Sequence, residues 1–545
     1  MLILSLYIIV PDYIKELYSY REISTHSLNE FQTSLSYEAW ENVFSNNDIN
    51  TTFNNFLNTF LRTFNASFPK KRTKLRQNTK AWLTTGIKTS CNNKRKLYLL
   101  YRESNDPNLK IYYKNYCKIL SKVIILAKKM YYNNKLANST NKPKTTWSII
   151  KTITSNKNNP NGILMMEIDG KITTHHQTIA EEFNNYYVSV ADNITNNNLV
   201  NNTVGDLNKN NPLSYLYSAF QQSFTNMKLK NTTTGEIGKI IKELKSKRSC
   251  GYDEITTEIL KISSPFIVSP LTYICNRMLS TGTFPDRLKY SEIKPIYKKG
   301  DKTLITNYRP ISLLPVFSKI FEKVIYKRLY YHLTLNNILV KEQFGFRCNR
   351  STEIAIYTLI NIILSSLNNR IIVGGLFCDL QKAFDCVNYD ILLSKMKFYG
   401  ITGVANKLME SYLRNRYQRV IINAHNNSNG YYSKWKEVQH GVPQGSVLGP
   451  LLFLIYINDL SKSVSDKSSP ILFADDTSFI IASHNETEFQ FKTNEIFKEI
   501  NKWFHSNKLM LNYDKTYFLQ FLTITNNELN MQVSFGKKKL LLCKV

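Results

Sequence analysis

Two spacings of apolar residues divide this chain. Between residues 26 and 157, "NEFQTSLSYEAWENVF" and "FNNFLNTFLRTFNASF" place aromatic and aliphatic side chains three and four apart, which predicts amphipathic helices. The stretch "KRKLYLLYRESNDPNLKIYYKNYCKIL" continues in helical texture, with tyrosines set among lysines and arginines. "TIAEEFNNYYVSVADNI" is a further helix, and the Asn-rich residues 195–212 after it read as a linker or long loop. From about residue 225, helices alternate with short strands. "PVFSKIFEKVIYKRLYYHL" aligns Val316, Ile320, Val324 and Leu329 on one stripe, and "STEIAIYTLINIILSSL" is a helix that Ser351 is placed to cap. "RIIVGGLFCDL" is a β-rich run ending at Asp379, while "ILFA" and "TSFIIA" are two strands that meet at Asp475 and Asp476. No internal repeat or coiled-coil heptad is visible.

Composition adds a sign to this picture. The chain has 545 residues, 43% of them apolar, enough for two or three domains with cores. Lysine and arginine number 71 against 41 acidic residues, a net charge of +30, and between residues 70 and 157 only Glu103 and Asp106 are acidic. Such a field favours a polyanionic partner, nucleic acid ahead of an anionic membrane, the plainer alternative being a merely soluble basic surface. The interleaved tyrosines suit base stacking, or equally the core face of an amphipathic helix. Eight scattered cysteines without a C-x-x-C pair argue against a disulfide framework or zinc knuckle and fit a reducing compartment. The opening "MLILSLYIIV" stops at Pro11-Asp12, short of the roughly 20 apolar residues that span a bilayer. It reads as a buried strand or the stub of an upstream domain, with a signal peptide as the alternative. The sequons at Asn193 and Asn201 follow from an Asn-rich composition.

The candidate chemistry lies in three carboxylates. Asp475 and Asp476 interrupt an apolar run, where unpaired charges are costly to bury. If the strand ending at Asp379 neighbours their hairpin, the three meet at one end of a sheet. Such a cluster repels itself until cations neutralise it, and hard oxygen donors suit Mg²⁺. Two such ions roughly 3.5–4 Å apart serve phosphoryl transfer. From the paired aspartates alone, a polar turn beside an unrelated strand-end carboxylate remains the simpler reading.

Context changes that balance. "KPIYKKGDKTLITNYRPISLLPVFSKIFEKVI", "QFGFRCNRST", "FCDLQKAFDCVNYDIL", "QHGVPQGSVLGPLLFLIYINDL", "FADD" and "NKLMLNYDKT" occur in order at sensible separations. Together they resemble the fingers and palm blocks of reverse transcriptases, specifically those of non-LTR, LINE-class, jockey-like retrotransposons. The resemblance runs from about residue 239 to 516 and continues more weakly through "AWLTTGIKTSCNNKRKLYLLYRES". It implies an α+β fold: right-hand fingers and palm, with a small antiparallel sheet backed by helices, preceded by a helical basic region. The boundaries expected are 1–25 as a remnant or strand, 26–194 as the helical basic region and 195–225 as the linker. Fingers and palm then occupy 226–525, and 526–545 begin the connection to a thumb.

Residue by residue, the resemblance implies Asp379, Asp475 and Asp476 as catalytic metal ligands, with the Leu380 carbonyl also within reach of a metal. Phe384 matches an aromatic gate that crowds a 2′-hydroxyl, and a plain core Phe is its alternative; Asp385 is expected to make a local hydrogen bond. Gln444 matches a bridge between nucleotide and template, in a loop shaped by Gly441, Pro443 and Gly445. Ser446 or Pro450 opens the following helix. Lys298 and Arg309 match triphosphate-gripping cations, with Lys294 or Lys299 able to exchange with Lys298. Lys515 falls where the family has a lysine near the leaving pyrophosphate, or is a surface charge.

The implied reaction is RNA-directed DNA synthesis with two Mg²⁺ ions, Mn²⁺ as a substitute, on an RNA template. The primer is DNA or a nicked chromosomal target, the substrates are dNTPs, no membrane is involved, and the setting is a nuclear and cytoplasmic ribonucleoprotein. No endonuclease segment, Cys/His knuckle, Phe-Leu-Gly primer-grip strand or thumb is recognisable, so the chain reads as truncated at both ends or as an incomplete gene model. A catalytically idle RNA-binding remnant is the competing reading. Group II intron maturases, telomerases and LTR polyproteins share the palm logic, but their accessory segments are not visible.

Overall fold

The 31 residues of the helix Pro107–Ala137 follow a start signal written in the sequence: Asp106 accepts a hydrogen bond from the Asn108 amide (2.9 Å), and Pro107 opens the first turn. The structure is a computed structural model that describes residues 17–74, 80–154, 165–201, 211–247, 249–424, 427–522, 533–535 and 538–544. The expectations placed on residues 1–16 and 202–210, and on much of 526–545, lie outside the described residues. Contacts divide the chain into one unit drawn from residues 1–20, 70–164 and 423–429 and a second from 21–69, 165–422 and 430–545.

In the first unit, the helix Thr85–Glu103 packs against Pro107–Ala137, followed by Lys142–Thr154. Tyr101 stacks on Tyr113 (5.0 Å between centroids), and the Tyr116 hydroxyl donates to the Ser90 carbonyl (3.1 Å). Several tyrosines of this segment therefore form the seam between helices, while Tyr98 and Tyr112 stay exposed.

The second unit departs from the boundaries read in the sequence. Its helices Thr25–Ser36 and Ile49–Ser67 bury Phe31, Phe53, Phe56, Phe60 and Phe64. They pack onto the helices Thr257–Thr281 and Val316–Leu335, with Phe56 and Phe60 each edge-on to Phe317 at 5.3 Å. Pro270 has no N–H to offer the carbonyl of Phe266, one turn back, and the Trp40 indole donates to that carbonyl instead (3.1 Å). The region read as one basic block is thus shared between two units, because its first 40 or so residues carry enough aromatic surface to join the larger core. The expected linker is also corrected. The helix His176–Asn201 runs through its first part, and Pro212–Ala219 is helical, with Pro212 at the first turn and the Asn211 side chain capping the Leu213 amide. Asn211-Pro212, read as part of the linker, is here a helix start.

The strands that matter for the site are β1 (Tyr290–Tyr297), β2 (Tyr308–Leu313), β3 (Ile372–Cys378), β4 (Arg416–Ala424), β5 (Lys436–Val438), β6 (Ser469–Phe473), β7 (Asp476–Ser483), β8 (Tyr517–Phe521) and β9 (Leu541–Lys544). One sheet has the order β5-β4-β1-β2, with β1 and β4 parallel. The other has the order β6-β7-β3-β8-β9. It is antiparallel through β8, as expected, but its edge pair β8–β9 is parallel. The segment read as the start of a connection returns to the sheet in the direction of β8, which a chain excursion of this length permits and a tight hairpin would not.

Both faces of this sheet are covered. Val373, Ile471 and Ile480 pack beneath the helix Thr352–Asn368, capped by Ser351 as the sequence predicts. Leu376, Phe479, Ile481 and Phe518 belong to the main core with the helices Gly449–Ile457 and Glu486–Ser506. The pair Gly374-Gly375 is a packing requirement, since a Cβ at Gly374 would meet the rings of Phe518 (2.8 Å) and Phe489 (3.0 Å). Val316, Ile320, Val324 and Leu329 are all buried, as their stripe predicts. No helix among the described residues is long and apolar enough to cross a membrane.

Candidate active site

The hairpin β6–β7 turns through two residues, Ala474 and Asp475, so that Asp476 opens β7 opposite Phe473. β7 lies antiparallel to β3 with Thr477 facing Cys378, which sets Asp476 and Asp379 side by side at the same sheet end. The strand pairing anticipated from sequence is therefore present. Burial pushes the pKa values of Asp475 and Asp476 up, and the neighbouring carboxylates add to the shift in both. Asp379 is compensated from the segment ahead of β8: Lys515 Nζ and Asn512 Nδ2 each lie 3.3 Å from its Oδ2. The Asn512 amide also donates to the Asp379 carbonyl (2.8 Å), and Leu380 makes a bridge to Leu511.

These residues line a cavity of about 780 Å³ together with Lys298, Lys299, Arg309, Lys382, Phe384 and Gln444. Every residue expected to bind metal or nucleotide thus faces one space. Of the two lysines considered as exchanges for Lys298, Lys299 is in the wall, whereas Lys294 sits in β1 opposite Ile311. Lys298 follows β1 and Arg309 lies in β2, so the first sheet delivers the cations and the second the carboxylates. Burial holds Lys298 below the usual lysine range, and the nearby charges of Arg309 and Lys515 act the same way.

Phe384 is held by its neighbours. It stacks on Phe453 at 4.6 Å and 21°, with Phe346 edge-on at 6.3 Å. Its carbonyl accepts from the Val442 amide (2.9 Å). The loop carrying Gln444 is fixed on three sides. The Gly441 amide donates to the Val387 carbonyl (2.8 Å), and the Ser312 amide to the Gln444 carbonyl (2.8 Å). Gln444 Nε2 donates to Asp385 Oδ1 (2.9 Å), the local hydrogen bond expected of that aspartate. Gly441 (φ +82°) and Gly445 (φ +123°) occupy backbone that favours glycine, and a Cβ would strike the Asp385 carbonyl oxygen in one case and that of Ser312 in the other. Pro443 lines a smaller pocket beside this loop. The helix begins at Gly449 after Leu448 with Pro450 in its first turn, so of the two residues offered as its start Pro450 holds that place, while Ser446 Oγ accepts from the Gly449 amide (2.9 Å) from the loop before it.

Sequence reasoning missed several members. Lys382 is inside the quoted "DLQKAFD"; its Nζ lies 3.3 Å from the Tyr308 carbonyl oxygen and 5.7 Å from the Tyr186 ring. Burial lowers its pKa against the opposing pull of Asp385. Tyr186, from the helix His176–Asn201, also lines the cavity, and no local signal marks it. Glu322, buried in Val316–Leu335, accepts from the amides of Val447 (2.6 Å) and Leu448 (3.3 Å) and braces the loop from behind. A buried carboxylate this close to two orphan amides is visible only in three dimensions.

Three carboxylates on adjacent strand ends are hard donors; burial, and after it the neighbouring carboxylates, raises the pKa of Asp475 and Asp476, a cost to their charged forms that a divalent cation would relieve, so the residues fit Mg²⁺ in kind. Among the described residues, however, no three His, Cys, Asp or Glu side chains stand already converged on a metal position.

Residues 296–533 match the family described as reverse transcriptase (RNA-dependent DNA polymerase). The chain is similar to the RNA-directed DNA polymerase from mobile element jockey of Drosophila melanogaster, with 29% identity over 57% of this chain and 34% of the relative. It is also similar to the probable RNA-directed DNA polymerases of two other transposons of that fly. For transposon BS the identity is 33% over 52% of this chain and 31% of the relative. For the X-element it is 32% over 44% and 26%. The chain therefore spans about a third or less of the length of these relatives.

Proposed function

We propose, from the premise that residues 296–533 are a reverse transcriptase domain of the jockey-like, non-LTR retrotransposon class, that this chain extends a primer by copying RNA into DNA. The observation that carries the proposal is the meeting of Asp379 with Asp475 and Asp476 in one cavity faced by Lys298 and Arg309. Lys298 and Arg309 bind the triphosphate of a dNTP, Arg309 as the bidentate partner. Phe384, immobilised between Phe453 and Phe346, closes the space a 2′-hydroxyl needs. Gln444 presents its carbonyl oxygen to the nucleotide or the template. Asp379, Asp475, Asp476 and the Leu380 carbonyl would hold divalent cations, Mg²⁺ or Mn²⁺. When bound, such ions supply a more acidic primer hydroxyl and charge stabilisation at the phosphate. Lys515, 3.3 Å from Asp379, is placed to give a proton to the departing pyrophosphate. Lys298, Arg309 and the other basic residues around the cavity hold the template and a DNA primer or nicked target electrostatically, in keeping with the net charge of +30. In a cell this places the chain in a ribonucleoprotein.

Primer extension by the purified chain tests this reading, with a primed RNA template, dNTPs and Mg²⁺, beside an Asp475→Ala, Asp476→Ala variant. Extension by the wild type that the variant lacks is the expected result. Absent extension, with primer–template binding that weakens steeply as salt rises, would replace the enzyme by an idle RNA-binding remnant.

A further inference from the structure

The turn that presents Asp475 has an unfavourable backbone. Ala474, with φ +58°, sits in the left-handed region that L side chains rarely adopt, and it is buried. Something must hold it there, and the holder is 131 residues away in sequence. Gln343, only 3% exposed, points its side-chain oxygen at two backbone amides at once: Gly345 (2.8 Å) and Ala474 (3.0 Å). Around this contact, residues 342–345 run beside β6 as an added parallel segment. The Phe344 amide donates to the Leu472 carbonyl (2.8 Å), the Leu472 amide to the Glu342 carbonyl (2.9 Å), and Gln343 pairs with Leu472. Gly345 is required at the point of closest approach, since a Cβ there would collide with the Ala474 nitrogen. The Gln343 Nε2 is buried with no hydrogen-bond partner among the described residues, so the amide gives up one end to fix the other on the turn.

We propose that Gln343 is a positioning residue for the carboxylate turn. By accepting from the Ala474 amide it holds that residue in its left-handed conformation, and so sets the direction in which Asp475 and Asp476 leave the sheet toward Asp379. Gln343 does not line the cavity and touches no substrate position, so it acts only through the turn. The inference rests on the polymerase reading for its catalytic consequence. Its structural half stands on the hydrogen bonds alone.

Two variants of the full chain separate this role from simple packing. Gln343→Met keeps the volume and removes the acceptor; Gln343→Glu keeps an acceptor oxygen. The expected result is that Gln343→Met speeds hydrogen exchange in a peptide covering residues 471–478 by about tenfold or more, at a melting temperature within a few degrees of wild type, while Gln343→Glu retains protection. In primer extension, Gln343→Met lowers kcat by about tenfold or more and raises the Mg²⁺ concentration needed for half activity, with the KM for dNTP unchanged within about twofold. Wild-type exchange at 471–478 in Gln343→Met would overturn the proposal, as would equal loss of protection in both variants. So would full activity in a variant whose turn exchanges freely. If the wild type extends no primer yet Gln343→Met loses protection at the turn, the polymerase reading fails and the positioning role survives.

Discussion

Gln444 donates its amide Nε2–H to Asp385 Oδ1 across 2.9 Å, which leaves its carbonyl oxygen as the end of the amide available to the cavity. The loop glycines and the Ser312 amide fix the backbone, but this bond decides the chemistry that the side chain presents.

That relationship is pH-dependent. Burial pushes Asp385 up to about 6, against the hydrogen bond from Gln444, which favours the charged form. As pH falls through that value the carboxylate gains a proton, stops requiring a donor, and releases the amide to turn over. The KM for dNTP should rise by about tenfold between pH 7.5 and 5.5. An Asp385→Asn variant should show a raised KM that is flat over that range. Melting should move the opposite way at this residue: because the folded state prefers the acid form, Asp385 costs stability as pH rises from its unfolded value near 4 to about 6. Steady-state kinetics and melts on the same buffers check both signs.

Metal binding should release protons. Asp475 and Asp476 both titrate above the ordinary range, so a divalent cation competes with protons for them. Mn²⁺ titrations followed by electron paramagnetic resonance should give a dissociation constant that rises as pH is lowered from 8 to 5. A pH-independent constant would place the ion elsewhere.

Loosening the aromatic packing should cost selectivity before rate. In Phe384→Val, incorporation of ribonucleotides should rise by about tenfold or more relative to deoxynucleotides, a difference of ~1.4 kcal/mol in transition-state discrimination. Phe453→Ala, which removes the ring stacked 4.6 Å away, should move in the same direction by less. Competition between CTP and dCTP measures this directly.

One prediction concerns stability alone. Lys395 and Asp459 are both fully buried, 2.5 Å apart, with the Trp503 indole donating to the other carboxylate oxygen (2.9 Å) and the Tyr456 carbonyl accepting from Lys395 (2.7 Å). Removing one partner strands a charge, so Asp459→Ala should lose about 3–5 kcal/mol in denaturant melts. Lys395→Met combined with Asp459→Leu should lose much less.

The carboxylates and their strands were legible in sequence because their signal is local: short continuous apolar runs ending in aspartate, in blocks whose order resembles a known family. Phe384, Lys298, Arg309 and the loop glycines came with the same blocks. What escaped is what crosses the chain. Tyr186 reaches the cavity from a helix that sequence assigned to another region, and Glu322 looks like one more charge in a helix until the amides of Val447 and Leu448 close on it. The domain boundary moved for the same reason. Periodicity shows that Phe53, Phe56 and Phe60 form a face but not that Phe317 and Phe321 are what the face meets.

The pairing of β3 with β7 also governs the order in which the protein comes to exist. Cys378 and Thr477 are partners separated by about a hundred residues, and the segments between them form the loop and helix that carry Gln444. Closing so long a loop is slow and comes late in folding. A nascent chain can therefore display Asp379 and the fingers cations well before Asp475 and Asp476 arrive. During that interval its basic surface is present without an assembled carboxylate cluster. Under the function proposed above, a chain still being translated would capture nucleic acid before its catalytic carboxylates are assembled.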